Sequence, residues 1–204
     1  MGEVGAGDGR KRPRAGKGAV GRIVVSVAVA ALVVPLLSGW KVTGTNIRYA
    51  YYPVSGKSHT EIVRSVRRFA PKRGFAYGMG FIDFHPDYDM SSKNGECRVT
   101  RADTGLRILL KLPEWKGPDD APRSAVRLGR HFERSIKSHE MQHVRIAERY
   151  AGQMSRELKR LKPAKNCWSL RRDAHELIKR IKKQHIAAQN AFDRRTLKQI
   201  RRLL

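Results

Sequence analysis

The chain has 204 residues, with 43 lysines and arginines against 18 aspartates and glutamates, a formal net charge of +25 at pH 7. Once residues 1–39 are set aside as a targeting segment, roughly 160 residues remain, enough for one domain with its own core and leaving no need for a second. The cation excess draws the chain to anionic surfaces such as lipid headgroups, nucleic acid or acidic envelope polymers, and says nothing about its fold.

Arg10, Lys11, Arg12, Arg14, Lys17 and Arg22 form a basic flank, and residues 23–37 are uncharged and mostly aliphatic. That run falls short of the about 20 residues that a spanning helix needs. Pro35 breaks it, and Ser38-Gly39 offers a cleavage site just before Trp40. Residues 1–39 are therefore expected to be a signal peptide cleaved behind Ser38 or Gly39, or else an uncleaved anchor holding the chain to the inner membrane through residues 23–37. In both cases the basic flank stays in the cytoplasm and residues 40–204 are exported, periplasmic or secreted.

Asn46 to Val54 is rich in β-branched and aromatic residues and predicts a strand, with Pro53 marking its end or a sheet edge. Ile62, Val63, Val66 and Phe69 recur at helical spacing behind a cap at Ser58 or Thr60, and Pro71 and Gly74 stop that helix. Phe75 to Phe84, Cys97 to Thr100 and Leu106 to Leu112 are further strand candidates, so the middle of the chain predicts a small antiparallel sheet. A loop rich in breakers follows, with Pro113, Gly117, Pro118 and Pro122.

From about Ser124 onward the pattern is helical, interrupted near Lys162-Pro163, where proline cannot sit inside a helix. The first arm, to Leu161, carries His139-Glu140-Met141-Gln142-His143, a complete H-E-x-x-H run. At i, i+4 spacing the two imidazoles stand above one another on one helical face, as two ligands of one metal ion must. Glu140 is rotated by about 60° from that pair, free to act as general base toward a water without displacing a ligand. Phe132, Ile136, Ile146, Tyr150 and Met154 continue a helical period through the motif, which points both histidines inward. Two inward histidines without a partner would repel when charged, so a shared metal is favoured over satisfied core histidines.

On the second arm Leu170, Ala174, Leu177, Ile178, Ile181, His185, Ala188 and Phe192 draw an apolar stripe. The expected architecture is α+β, a small antiparallel sheet followed by a long two-helix hairpin. The basic outer faces read as solvated surface, and no specific nucleic-acid binding is expected.

The third metal ligand is expected from the second arm. Glu148 lies on the opposite face from His139. His185 lies on the stripe and Asp193 on its flank, and both are candidates. Zinc with Glu140 as base makes the expected chemistry hydrolysis of a peptide or protein substrate, with Tyr150 a candidate donor to a developing oxyanion. Cys97 and Cys167, the only cysteines, are expected as a disulfide in an oxidising compartment. Thiolate metal ligation is the weaker alternative, because the motif supplies its own ligands.

Tyr51-Tyr52-Pro53-Val54-Ser55-Gly56, Cys97-Arg98-Val99, Leu112-Pro113-Glu114-Trp115, the HEMQH run followed by Val144-Arg145-Ile146-Ala147, Cys167, and Phe192-Asp193-Arg194-Arg195-Thr196 occur in that order. This order resembles the predicted secreted zinc-dependent protease family catalogued as domain of unknown function 922. The resemblance spans nearly all of residues 40–204 and implies an exported, zincin-like metallopeptidase domain. The family segment reads aromatic-Asp-x-x-Thr-x-His-Gly, and this chain follows it only to Thr196, with Lys198 and Gln199 where histidine and glycine are expected. If that histidine is the third ligand, zinc binding is weakened here; if Asp193 is, the site is intact. The resemblance favours Asp193. The alternative is a noncatalytic, basic envelope-associated protein whose metal site is vestigial or structural.

Overall fold

A computed structural model describes residues 44–74 and 76–204. The expected signal peptide or anchor, residues 1–39, lies outside the described residues. Among those described, no helix is long and apolar enough to cross a membrane.

Three strands, β1 (Thr45–Val54), β2 (Met79–Lys93) and β3 (Glu96–Trp115), form one sheet in the order β1-β3-β2. The expected α+β arrangement is present, but the sheet is mixed rather than wholly antiparallel. β2 and β3 are an antiparallel hairpin, whereas β1 pairs with β3 in parallel, from Thr45 opposite Leu106 to Val54 opposite Trp115. The reason lies in the connection. After β1 the chain passes through α1 (His59–Phe69) and a 3-10 turn (Pro71–Gly74), then returns as β2 on the far edge. The hairpin then folds β3 into the gap between them, where a strand opposed to β2 must run parallel to β1. Local pattern identifies strands, not their partners.

Cys97 to Thr100 and Leu106 to Leu112 belong to one strand of 20 residues. The polar stretch between them breaks the apolar pattern but not the strand: pairing with β2 continues through it with one register shift between Asp89 and Met90, and Arg101 reaches across the hairpin to the carboxylates of Asp87 and Asp89, each at 2.7 Å. Asn94 and Gly95 turn the hairpin with φ of 53° and 76°, the left-handed pair that matches the twist of the flanking strands. Pro53 and Pro86 both sit on edge strands, where a missing N–H costs no ladder bond.

Leu106, Ile108, Leu110 and Leu112 are buried on one face of β3, while Arg107 and Leu109 between them are exposed. Against this face lies α2 (Arg123–Lys159), whose Phe132, Ile136, Val144, Ala147, Ala151 and Met154 join the same core. Truncating Phe132 to alanine would cost about 3–5 kcal/mol. Gly129 lets the Trp115 indole lie on the helix, since a Cβ there would sit 2.0 Å from the ring. α1 is capped by Ser58, whose hydroxyl accepts from the Glu61 amide at 3.3 Å, and it buries Ile62 and Val66.

α3 (Cys167–Arg201) returns antiparallel to α2, with Arg180 bonded to Glu157 at 2.8 Å near the turn and His139 meeting Asp193 farther along. The turn between the helices is tied to the start of β3. Cys97 exchanges two backbone hydrogen bonds with Ala164, at 2.8 and 3.0 Å, and is disulfide-bonded to Cys167. Cys97 and Cys167 are thus joined as expected.

The buried stripe of α2 differs from the expected one. It runs Phe132, Ile136, Glu140, Val144, Ala147, Ala151, Met154, Leu158, so Glu140 lies on it, and Ile146 and Tyr150 are only half-buried. The helix has two inward faces, because the sheet covers one side and α3 another. Glu140 occupies the first and the histidines the second.

The bridge closes a loop with a sequence separation of 70. Removing it with Cys97→Ala and Cys167→Ala should lower unfolding free energy by on the order of 4 kcal/mol. Equilibrium denaturation of the oxidised protein and the double variant checks this; equal midpoints would show that the bridge does not constrain the chain.

Candidate metal centre

Helix α2 brings His139 and His143 one turn apart, and α3 brings Asp193 to the same point. His139 Nε2 lies 3.1 Å from His143 Nε2 and 3.2 Å from Asp193 Oδ1, and His143 Nε2 lies 2.9 Å from the same oxygen. A tetrahedral ion with ligands at about 2.0–2.1 Å separates neighbouring ligand atoms by about 3.3 Å. The observed triangle is close to that size, and two imidazoles with a carboxylate are a suitable donor set for zinc. The side chains fit the group. His139 and His143 expose 13% and 12% of their side chains, while Asp193 exposes 54% and forms the open side of the cluster.

Phe192 holds both rings in place. It stacks on His139 with centroids 4.9 Å apart and meets His143 edge-on at 5.0 Å. Behind each ring, the other nitrogen faces an α3 side chain: Thr196 Oγ1 stands 3.5 Å from His139 Nδ1, and Gln189 Oε1 is in close contact with His143 Nδ1. The Thr196 hydroxyl also bonds the Phe192 carbonyl at 3.0 Å. The Phe192-Asp193-x-x-Thr196 segment therefore packs, faces and backs the histidines within one helical turn and a half.

Burial disfavours charge on His139, and the neighbouring His143 adds to this, so its pKa falls despite the opposing pull of Asp193. Glu140 is only 5% exposed. Burial raises its pKa to about 7, with His143 opposing and Asp193 adding to the rise. A cation at the cluster would favour the ionised carboxylate. Glu140 packs on the backbone of the β2 edge: a Cβ at Gly78 would lie 2.3 Å from Glu140 Oε1, and one at Gly80 would lie 3.7 Å from Oε2. Nearby, the buried Tyr52 hydroxyl donates to the Tyr77 carbonyl at 2.5 Å, and burial pushes its pKa up.

The cluster opens into a cleft of about 740 Å³ between β2, α2 and α3. Tyr77, Met79, Ile82, Leu197 and Ile200 give it apolar walls, with Lys72 and Arg201 also among its lining.

Asp193, of the two third-ligand candidates, joins the histidines. His185 does not. It is 7% exposed, its Nε2 accepts from Gln189 Nε2 at 2.7 Å, and Phe84 and Tyr150 lie edge-on to its ring. Burial, then the proximity of His143, lowers its pKa to about 4. Tyr150 is occupied there and is not among the residues lining the cleft. Glu148 and Lys198 are exposed, so the departure at Lys198 leaves the triangle complete. Sequence reasoning missed Gln189 and the glycine pair at 78 and 80. His185, Gln189 and Asp193 follow one another at four-residue intervals, a readable polar column on an otherwise apolar face.

No curated protein and no solved structure matches the chain. The model of a family described as bacterial protein of unknown function, DUF922, matches residues 49–199, a span that contains the whole cluster and most of the cleft, and the chain belongs to that family.

Proposed function

We propose that this chain is an exported zinc-dependent metallopeptidase whose metal is held by His139, His143 and Asp193. The observation that carries the reading is the triangle of ligand atoms, 2.9 to 3.2 Å on a side, next to a buried carboxylate in an apolar cleft. Bound zinc supplies an acidified water and a polarised carbonyl. Glu140 takes the proton of the attacking water and passes it to the leaving amine. Burial raises the pKa of Glu140, and a cation at the cluster would favour its ionised form, the form that accepts the proton of a water. The apolar walls accept side chains of a peptide or unfolded protein. Export is supported by the Cys97–Cys167 disulfide, which persists in an oxidising compartment. The second reading, a noncatalytic envelope-associated protein with a structural metal, is favoured by the cation excess of residues 40–204, 37 lysines and arginines against 16 aspartates and glutamates, which suits an anionic envelope surface.

The purified residues 40–204 should carry about one zinc per chain. His143→Ala and Asp193→Ala should each weaken zinc binding by several orders of magnitude, while His185→Ala lowers Tm and retains the metal. Lys198→His should leave affinity unchanged. Metal analysis with competition titration checks all four; zinc retained by Asp193→Ala would remove it from the ligand set.

Glu140→Gln should keep zinc and lose about 10²–10⁴-fold in hydrolysis of an unfolded protein substrate, because an amide cannot take the proton. Gly78→Ala should act the same way more mildly, by displacing the carboxylate. Chelator-sensitive hydrolysis by wild type is the reference. Metal-replete wild type without hydrolysis would favour the noncatalytic reading.

A further inference from the structure

We infer that Lys72 and Arg201 form a carboxylate-binding subsite at one end of the cleft, selecting peptides with an acidic group about three to four residues from the bond held at the histidine cluster. The subsite rests on the proposed reading of the cleft as a peptide site. Helices α2 and α3 run antiparallel, so His143 meets Gln189 while His139 meets Asp193 and Thr196. Farther in the same direction, Ile136 on α2 and Leu197, Ile200 and Arg201 on α3 line the cleft beyond the cluster. Arg201 ends α3, about 12 Å along the helix axis from Asp193. Lys72 reaches the same end from the sheet side. It shortly precedes Tyr77, whose ring meets Phe132 of α2 edge-on at 5.3 Å, about one turn beyond Ile136.

Charge at this end of the cleft has one sign. The acids lining the cleft are Glu140 and Asp193, both at the cluster, and among the described residues neither Lys72 nor Arg201 is paired with a carboxylate. A guanidinium fork beside an ammonium is a fitting donor set for a carboxylate. An extended peptide rises about 3.3 Å per residue, which sets the separation from the cluster. The backbone at Lys72 is a second, independent observation. Its φ is 51°, in the 3-10 turn between α1 and β2. That left-handed region suits glycine or asparagine and costs lysine more. The turn is firmly held: Gly74 N–H donates to the Ala70 carbonyl at 3.3 Å, Ala76 N–H donates to the Pro71 carbonyl at 3.4 Å, and a Cβ on Gly74 would lie 2.8 Å from Arg67 Cα. Glycine would make the same turn with less strain, so the turn does not require lysine. A cation lining the cleft accounts for it, as strain of this kind collects at binding sites.

The test reads binding and needs no turnover. Short apolar peptides, acetylated and amidated, with a single glutamate or glutamine scanned along their length, are titrated into the purified protein carrying Glu140→Gln in the presence of zinc. A further peptide carries glutamine and a free C-terminal carboxylate. At least one of the carboxylate peptides is expected to bind about 10-fold tighter than the amidated glutamine peptide, and the tighter one names the source of the group. Lys72→Glu with Arg201→Glu should reverse the preference toward a lysine peptide. Lys198→Glu with Arg202→Glu, the same charge change on exposed cations near that end of α3 that do not line the cleft, should leave the preference in place. Lys72→Gly should lose part of the preference while Tm stays level or rises. Equal affinity for all the peptides, binding of none, or a Lys198 and Arg202 variant that shifts the preference as far as the cleft variant overturns the subsite. Full preference in Lys72→Gly also overturns it. A preference without hydrolysis by wild type supports the subsite and removes the peptidase, whereas hydrolysis without a preference removes the subsite alone, so the two failures are separable.

Discussion

Helix α2 is held between two partners, the sheet on one side and α3 on another, and the chemistry of the cleft follows from that double packing. Neighbouring residues on a helix diverge by about 100°. His139 and Glu140 are therefore forced onto different faces, and only a helix buried on both can make use of the two together. The sheet side buries Glu140 against the glycine backbone of β2 and raises its pKa to about 7. The α3 side supplies Asp193, Phe192, Thr196 and Gln189 around the histidines. A slip of one turn between the helices would carry Asp193 about 5 Å away and dissolve the triangle.

What keeps the two helices in register acts at the opposite end from the cluster. Cys97 fastens the interhelix turn to β3 through two backbone hydrogen bonds and the disulfide, and Glu157 pairs with Arg180 on the way. The exposed ion pair adds at most about 1 kcal/mol. The apolar contacts of Leu158, Leu170, Ala174, Leu177 and Ile181 carry the larger share, since each fully buried aliphatic side chain contributes roughly 1.5–3 kcal/mol. Precision at the cluster is thus produced by packing, and the polar groups there are aimed by it.

The parts of this arrangement that sequence revealed are those set by local spacing. The i, i+4 histidines, the break at Lys162-Pro163, the stripe of α3 and the pairing of two lone cysteines all follow from neighbours along the chain. Relations set by topology were out of reach. The parallel pairing of β1 with β3 depends on where the hairpin folds, and the continuity of β3 through its polar stretch depends on cross-strand pairing with β2. The apolar stripe of α2 is misread for the same reason: Phe132, Ile136 and Met154 lie with Glu140 on the sheet side and not with the histidines, because the helix has two covered faces. The spacing on α3 alone admits both Asp193 and His185; the family resemblance favours Asp193, and the crossing of α2 and α3 in space brings it, and not His185, to the two histidines.

The central claim is that His139, His143 and Asp193 bind one zinc ion together. X-ray absorption at the zinc edge of metal-loaded residues 40–204 tests it most directly. The account predicts a four-coordinate first shell of nitrogen and oxygen at about 2.0–2.1 Å, with scattering from two imidazole rings. A sulfur shell near about 2.3 Å, a single imidazole, or a shell unchanged by Asp193→Ala would contradict it.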